Sequence, residues 1–238
     1  MNDSGEKERA GQAMLDPATE DALYQLFRGF FERAERERRW NLWTDLPWDR
    51  VNREASDALV QAVRAAYAEE LFLPDYGGKT LHLLRASRGR AWFVTRWMYE
   101  EGKHSLALGE WLIRSGKQDE DTVRDEADRL LARETRDLVV PEPVGAMVEN
   151  LTREQDEVAR YDALVVLAQA ENDPALAALC DRIVTDERSH AAFFRDALRL
   201  IGEREPARVA HAVHRIADLP AFARFAPGLR AELGVEAA

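Results

Sequence analysis

Apolar residues recur along this chain in steps of three and four, the spacing that gathers them on one face of a helix. One such stripe reads Leu176, Leu179, Ile183, Glu187, His190, Phe194, Leu198, Ile201. A second reads Phe93, Trp97, Glu101, His104, Leu108, Trp111, and a third Val144, Met147, Leu151, Glu154, Val158, Tyr161, Val165. A fourth, Leu59, Val63, Ala66, Glu70, Leu73, follows the same rhythm. Each stripe is interrupted by acidic or imidazole side chains where leucine would be expected.

Capping and breaking residues divide the chain into helices around these stripes. Asp16-Pro17 begins the first, since aspartate can cap and proline suits the first turn; its face of Leu23, Phe27, Phe30 and Phe31 ends near Arg39. The second starts near Ser56-Asp57, is interrupted at Pro74 and Asp75-Tyr76-Gly77-Gly78, and resumes through Leu81 to Leu84. The third spans Gly89 to Ser115 with Gly116 as its stop signal, and a shorter acidic segment follows from Asp119 to Leu138. Long helices are expected from Val144 to Glu171 and from Pro174 to Ile201 or Gly202, then a short pair from Pro206 to Asp218 and from Pro220 onward. The segment carrying Trp40, Trp43 and Trp48 is too aromatic for a solvated loop and is expected to pack over the bundle. Strand alternation and internal repeats are absent. The expected architecture is all-α: a disordered polar tail over residues 1–14, then a single helical domain over residues 15–238.

Composition narrows the function classes. No apolar run is long enough to span a bilayer, and the polar N-terminus offers no secretory signal, so a cytoplasmic protein without a membrane role is expected. A single cysteine, Cys180, leaves no internal disulfide and no thiolate cluster for metal, so any metal site must use carboxylate and imidazole. A formal charge of −11 argues against nucleic acid as a partner. Arginines do cluster locally, at Arg33, Arg36, Arg38 and Arg39 and at Arg85, Arg88 and Arg90. They are either solvated and paired with neighbouring glutamates or a docking patch for an acidic protein.

The chemistry lies in the interruptions. Glu101 and His104 form one Glu-x-x-His, and Glu187 and His190 form another; residues three apart on a helix can grip one ion. Glu70 and Glu154 add a carboxylate from each of two further helices. Burying four carboxylates without positive charge is untenable, whereas two divalent ions balance four glutamates. The predicted metal ligands are therefore Glu70, Glu101, His104, Glu154, Glu187 and His190. His82, His211 and His214 lack such a context and read as surface residues; Cys180 reads as a buried, inert thiol.

These residues resemble the soluble acyl-carrier-protein desaturases, di-iron enzymes of the ferritin-like superfamily, from about Arg39 to Leu200. Glu70-Leu71-Phe72-Leu73-Pro74-Asp75-Tyr76 is similar to the family's first ligand segment. Trp97 stands four residues before Glu101, and Asp186-Glu187-Arg188-Ser189-His190 resembles the last ligand segment. The resemblance implies a four-helix bundle with additional flanking helices, in which Glu101 and Glu187 bridge two irons while Glu70 and Glu154 ligate one each. It implies that Asp186 orients a ligating imidazole from behind and that Trp97 lies on an electron path or packs in the core. One position departs: the family usually carries threonine three residues after the third ligand glutamate, and here Glu157 stands there. Glu157 is either an extra ligand, a proton relay, or a side chain reaching solvent at the edge of the stripe.

The expected function is a di-iron oxidase that uses dioxygen to attack an unactivated C–H bond. The foremost expectation is a double bond placed in an acyl chain on acyl carrier protein. The alternative is an oxygenase, hydroxylating or N-oxygenating a smaller metabolite, and a third reading is a non-catalytic metal-binding protein. The cofactor is two Fe2+ ions or a manganese–iron pair. With no nucleotide-binding or cysteine-cluster motif in the chain, electrons are expected from a separate ferredoxin or reductase. A homodimer is the expected assembly.

Overall fold

Four of the helices begin where a side chain satisfies free N–H groups of the first turn. The computed structural model describes residues 14–236, so the polar tail expected over residues 1–14 lies, Met14 apart, outside the described residues. Asp16 accepts from Ala18 and Thr19 to open α1 (Pro17–Arg33), and Ser56 accepts from Leu59 to open α2 (Asp57–Glu70). After α3 (Leu73–Leu84) and α4 (Arg88–Arg114), Asp119 caps α5 (Glu120–Leu131) through Thr122. Then come α6 (Pro143–Ala170), α7 (Pro174–Gly202), capped by Asp173 through Leu176, α8 (Pro206–Ala217) and α9 (Ala226–Leu233). Among the described residues there is no strand, and the fold is all-α.

Four helices close a ring: α2 packs on α4, α4 on α7, α7 on α6, and α6 on α2. The α6–α7 pair has the most extensive contact. This is the ferritin-like four-helix bundle with flanking helices. The first helix covers α4 and α7, the third bridges α4 and α6, and α8 lies over α6 and α7. Close approach of α1 to α4 depends on Gly89, where an added Cβ would stand 2.5 Å from the backbone carbonyl of Leu23. Gly116, with φ +73°, ends the helical path after α4, as its stop-signal reading anticipates.

The interior consists of two apolar clusters rather than one. The first holds Phe72, Phe93, Trp97, Leu151, Phe193 and Phe194; the second holds Leu59, Val63, Leu108, Trp111, Tyr161, Leu176 and Ile183. Along α4 and α6 the chain passes from the first cluster to the second, and along α7 from the second to the first; α2 lines the second and ends at the layer, with Phe72 and Leu73 beyond it in the first. A layer of buried charge separates them.

Several local expectations are corrected. The helix break falls at Leu71-Phe72, and Asp75-Tyr76-Gly77-Gly78 lie inside α3. Pro74 occupies the first turn, where its missing N–H costs no bond, and Gly77 lets α3 approach Met98 of α4. The acidic helix stops at Leu131 rather than Leu138, and beyond it Glu149 accepts from the N–H groups of Val139 and Val140. Past Arg33 the coil widens into a π-helical turn over Ala34–Arg38, an irregularity with no sequence signal. Trp40 is buried and Trp48 packs against the second cluster, but Trp43 is exposed.

Candidate metal centre

The charged layer is built from the predicted interruptions of the four stripes. Glu70 sits in the last turn of α2; Glu101 and His104 face inward from the middle of α4, Glu154 from α6, and Glu187 and His190 from α7. All six are buried. Their donor atoms form two sets: Glu70, Glu101, His104 and Glu187 in one, Glu101, Glu154, Glu187 and His190 in the other. Within each set one donor atom per residue lies within 4.8 Å of the others, and each set could hold a metal ion. Glu101 and Glu187 belong to both.

The polar atoms in the layer are unsatisfied in the pattern a cation would satisfy. Both carboxylate oxygens of Glu101 and of Glu154, Oε2 of Glu70, Oε1 of Glu187 and Nδ1 of His104 make no hydrogen bond. Buried polar atoms are normally paired, so a cluster of orphaned acceptors facing one another needs a positive centre. His190 makes the point locally: its Nδ1 has oxygens of Glu101 at 2.9 Å, Glu187 at 3.0 Å and Glu154 at 3.2 Å. One N–H cannot serve three acceptors. Oxygen donors with imidazole suit iron, manganese or zinc.

Electrostatics agree with that geometry. Burial raises the carboxyls of Glu70, Glu101 and Glu187 well above the usual range, and neighbouring carboxylates raise them further: Glu157 for Glu70, Glu154 for Glu101, Glu101 for Glu187. Burial, with His190 nearby, pushes the His104 imidazole down. Burial also opposes charge on His190, yet the neighbouring carboxylates of Glu100, Glu101 and Glu154 push that ring up. Without a positive centre, the layer must take up protons instead.

Behind each imidazole stands a second acid. His104 turns Nε2 to Asp186 at 3.3 Å, and His190 turns Nε2 to Glu100 at 2.8 Å, leaving both Nδ1 atoms facing the donor sets. The arrangement is reciprocal: the acid preceding each shared glutamate crosses to the imidazole of the other helix. Asp186 also accepts from Trp40 Nε1 at 2.8 Å and pairs with Arg38; Trp40 stacks parallel to His104 at 6.4 Å. Glu100 is flanked by Arg96 at 3.3 Å and Arg38 at 3.4 Å. Against the cost of burial, His190 and these cations hold its carboxyl well below the usual range. The outer layer therefore pairs its own charges. Arg38 belongs to it and not to a docking patch, and Arg90 is likewise buried, paired with Glu20. Arg33, Arg36, Arg85 and Arg88 are exposed, and Arg36, paired with Glu32, has the solvated, glutamate-paired character expected of these clusters.

Comparison with known proteins places the fold in context. The sequence model of the fatty acid desaturase family matches residues 48–221, more than half of the chain. The chain belongs to this family. Among fatty acid desaturase relatives, acyl-[acyl-carrier-protein] desaturase 4, a chloroplastic protein of Oryza sativa subsp. japonica, is 29% identical over 117 residues. That match covers 49% of this chain but only 28% of the relative's length. A solved Mycobacterium tuberculosis H37Rv structure, DesA2, assigned as an acyl-ACP desaturase, superposes with a TM-score of 0.58 at 19% identity, over 91% of this chain and 86% of that one. At that identity the likeness concerns the fold.

In this desaturase-family chain, Glu70, Glu101, His104, Glu154, Glu187 and His190 are brought together in the layer, and Asp186 stands behind His104. Two residues do not behave so simply. Glu157 is buried one turn beyond Glu154 but belongs to neither donor set, so no ligand geometry supports the extra-ligand reading. Burial does not leave it in solvent either; that burial, with Glu101 and Glu154, raises its carboxyl well above the usual range. Trp97 packs against Tyr76 and Phe194 and makes no hydrogen bond to the layer. Sequence reasoning missed Glu100, Trp40, Arg38 and Tyr161, whose hydroxyl donates to Glu70. Glu100 was detectable, since an acid precedes both Glu101 and Glu187; the others carry no local signal. His82 and His211 are exposed, and Cys180 is buried with its thiol pushed up by burial. No helix among the described residues is long and apolar enough to cross a membrane.

Proposed function

We propose that the charged layer holds two iron ions, or a manganese–iron pair, and that the protein uses dioxygen to oxidise an unactivated C–H bond. The desaturase-family match favours a carrier-bound acyl chain as substrate and a double bond as product. The observation that carries the reading is the sharing of Glu101 and Glu187 between the two donor sets, the arrangement needed for carboxylates bridging adjacent ions. Glu70 and His104 would complete one ion's ligands, Glu154 and His190 the other's. When bound, the ions supply the oxidising chemistry with dioxygen.

The residues of the chain bind, orient and exclude. Asp186 and Glu100 hold the imidazoles so that each Nδ1 faces its donor set and would be available to an ion there, and Tyr161 fixes the Glu70 carboxylate. Phe93, Phe193 and Phe194 keep water from one side of the layer. Glu157, outside both donor sets, would hold a proton beside the reacting centre. Two external electrons are required, and a ferredoxin or reductase is the proposed source. A homodimer in the cytoplasm completes the reading.

A second reading, an oxygenase acting on a smaller metabolite, is favoured by Glu157, a buried acid where the family usually has threonine. Metal analysis and product analysis test both. Protein loaded anaerobically with Fe2+ should carry about two ions per chain. Glu101→Ala and His190→Ala should lose them while remaining helical. Full metal binding in either variant would overturn the ligand assignment. An alkene recovered from an acyl chain on carrier protein supports the first reading, and an alcohol or N-oxide from a small metabolite the second.

A further inference from the structure

Two buried polar atoms beside the charged layer have no partner. The indole Nε1 of Trp97 and Oδ1 of Asn150 make no hydrogen bond, although Trp97 is 1% exposed and Asn150 0%. Trp97 lies four residues before Glu101 on α4 and Asn150 four before Glu154 on α6, each about 6 Å along its helix from the layer. Both helices pass from the first apolar cluster to the second across the layer, so Trp97 and Asn150 stand on the same side of it. The third helix joins them. Tyr76 packs its ring 5.9 Å from that of Trp97, and Thr80, one turn further, accepts from Nδ2 of Asn150 at 2.9 Å.

A wholly apolar substrate entering on this side would leave both atoms unpaired, a condition that folded proteins avoid. Phe93 and Phe193, stacked 3.5 Å apart near His190, offer an apolar wall elsewhere in the same cluster, so the polar pair is not forced by lack of alternatives.

We infer that Trp97 and Asn150 recognise a hydrogen-bonding group on the substrate, an amide or a hydroxyl, held a few bonds from the position oxidised at the layer. The group accepts from the Trp97 indole N–H and donates to the Asn150 carboxamide. Thr80 is a positioning residue that holds Nδ2 and leaves Oδ1 free. This rests on the preceding reading of the layer as the reacting centre. It adds that the substrate is not a plain hydrocarbon chain at this point, because a site built to hydrogen-bond a polar group rejects the analogue lacking it.

The test uses full-length protein loaded with diamagnetic Zn2+ and isotopically labelled at tryptophan, whose six indole N–H signals report individually. Trp97→Phe identifies the relevant signal by its disappearance. Millimolar hexanamide should move that signal saturably. Asn150→Leu should weaken the binding by at least about tenfold, as should replacing the probe by N,N-dimethylhexanamide, which cannot donate. A Trp97 signal unmoved by hexanamide, as when an ordered water occupies the pair, would overturn the inference. Equal affinity for the two amides would do the same, and this comparison needs no variant to fold. Zinc uptake is measured first: protein that takes up no zinc sinks the metal-centre reading, whereas protein that takes it up and ignores hexanamide sinks only the recognition site.

Discussion

Asp186→Asn isolates the layer behind the ligands. The carboxylate receives three donors, from Trp40 at 2.8 Å, from His104 at 3.3 Å and from the Arg38 guanidinium. Its side chain is 2% exposed and that of Arg38 11%, so water cannot replace what is lost. Asparagine has the same shape but only one accepting oxygen, and its NH2 must face one of the three donors. Losing a hydrogen bond to a charged group costs about 1.5–3 kcal/mol. Breaking a buried pair outright costs roughly 3–5 kcal/mol, a figure lowered here because Arg38 keeps Glu100 at 3.4 Å. The expected loss of stability in the metal-free protein is thus about 3 kcal/mol, read by urea denaturation. Loss of the partner behind His104 should also weaken metal binding by about 10- to 100-fold, read by competition with a chelator. Asp162→Asn, which breaks an exposed pair with Arg188, is the control and should cost no more than about 1 kcal/mol. If Asp186→Asn matches that control in both measurements, the crossing acids do not support the site.

Glu157→Gln should keep the metal stoichiometry while lowering turnover about a hundredfold, as expected for loss of a positioned proton carrier; unchanged turnover would make Glu157 a bystander. Metal-free protein should lose stability as pH rises above about 6.5. Glu70, Glu101, Glu187 and His190 are all raised by the fold, so there the folded chain holds more protons than the unfolded one and rising pH favours unfolding. Metal loading should flatten that slope, and a thermal melt series with and without metal would show parallel slopes if the layer binds none. Gly89→Ala should destabilise by about 1–3 kcal/mol through contact with the α1 backbone, and a melting temperature equal to wild type would disprove the close approach.

What the sequence disclosed depended on whether the signal lay within one helix. Glu101 and His104 were legible because both fall on the period of Phe93, Trp97 and Leu108, and the same holds for Glu187 and His190 among Ile183 and Phe194. Helix starts at Asp16, Ser56, Asp119 and Asp173 were legible or nearly so, because capping needs only neighbouring residues. By contrast, Arg38 meets Asp186 across 148 positions, and Tyr161 meets Glu70 across 91. No periodicity records such a meeting. The arginines near Arg38 resembled a surface cluster, yet within the one π turn Arg36 reaches solvent while Arg38 reaches the buried acids. Pro74 was misread for a related reason: it breaks a helix interior but is harmless in a first turn, and only the break at Leu71-Phe72 tells which applies.

The charge arrangement explains how such a layer can persist between two apolar clusters. Glu100 and Asp186 are compensated by Arg38 and Arg96 within the protein, so the outer layer is satisfied whether or not metal is present. Glu70, Glu101, Glu154 and Glu187 have no comparable cation from the chain: His190 can carry one charge, while burial drives His104 toward the neutral form. The two layers therefore divide their tasks. The outer one fixes the imidazoles and helix register at the cost of no external ligand, which keeps the site formed before metal arrives. The inner one is left electrostatically incomplete, and on the proposed reading that deficit would supply the affinity for divalent ions. Replacing the inner acids by leucine would then stabilise the metal-free bundle while destroying its chemistry, as expected where stability has been yielded to function.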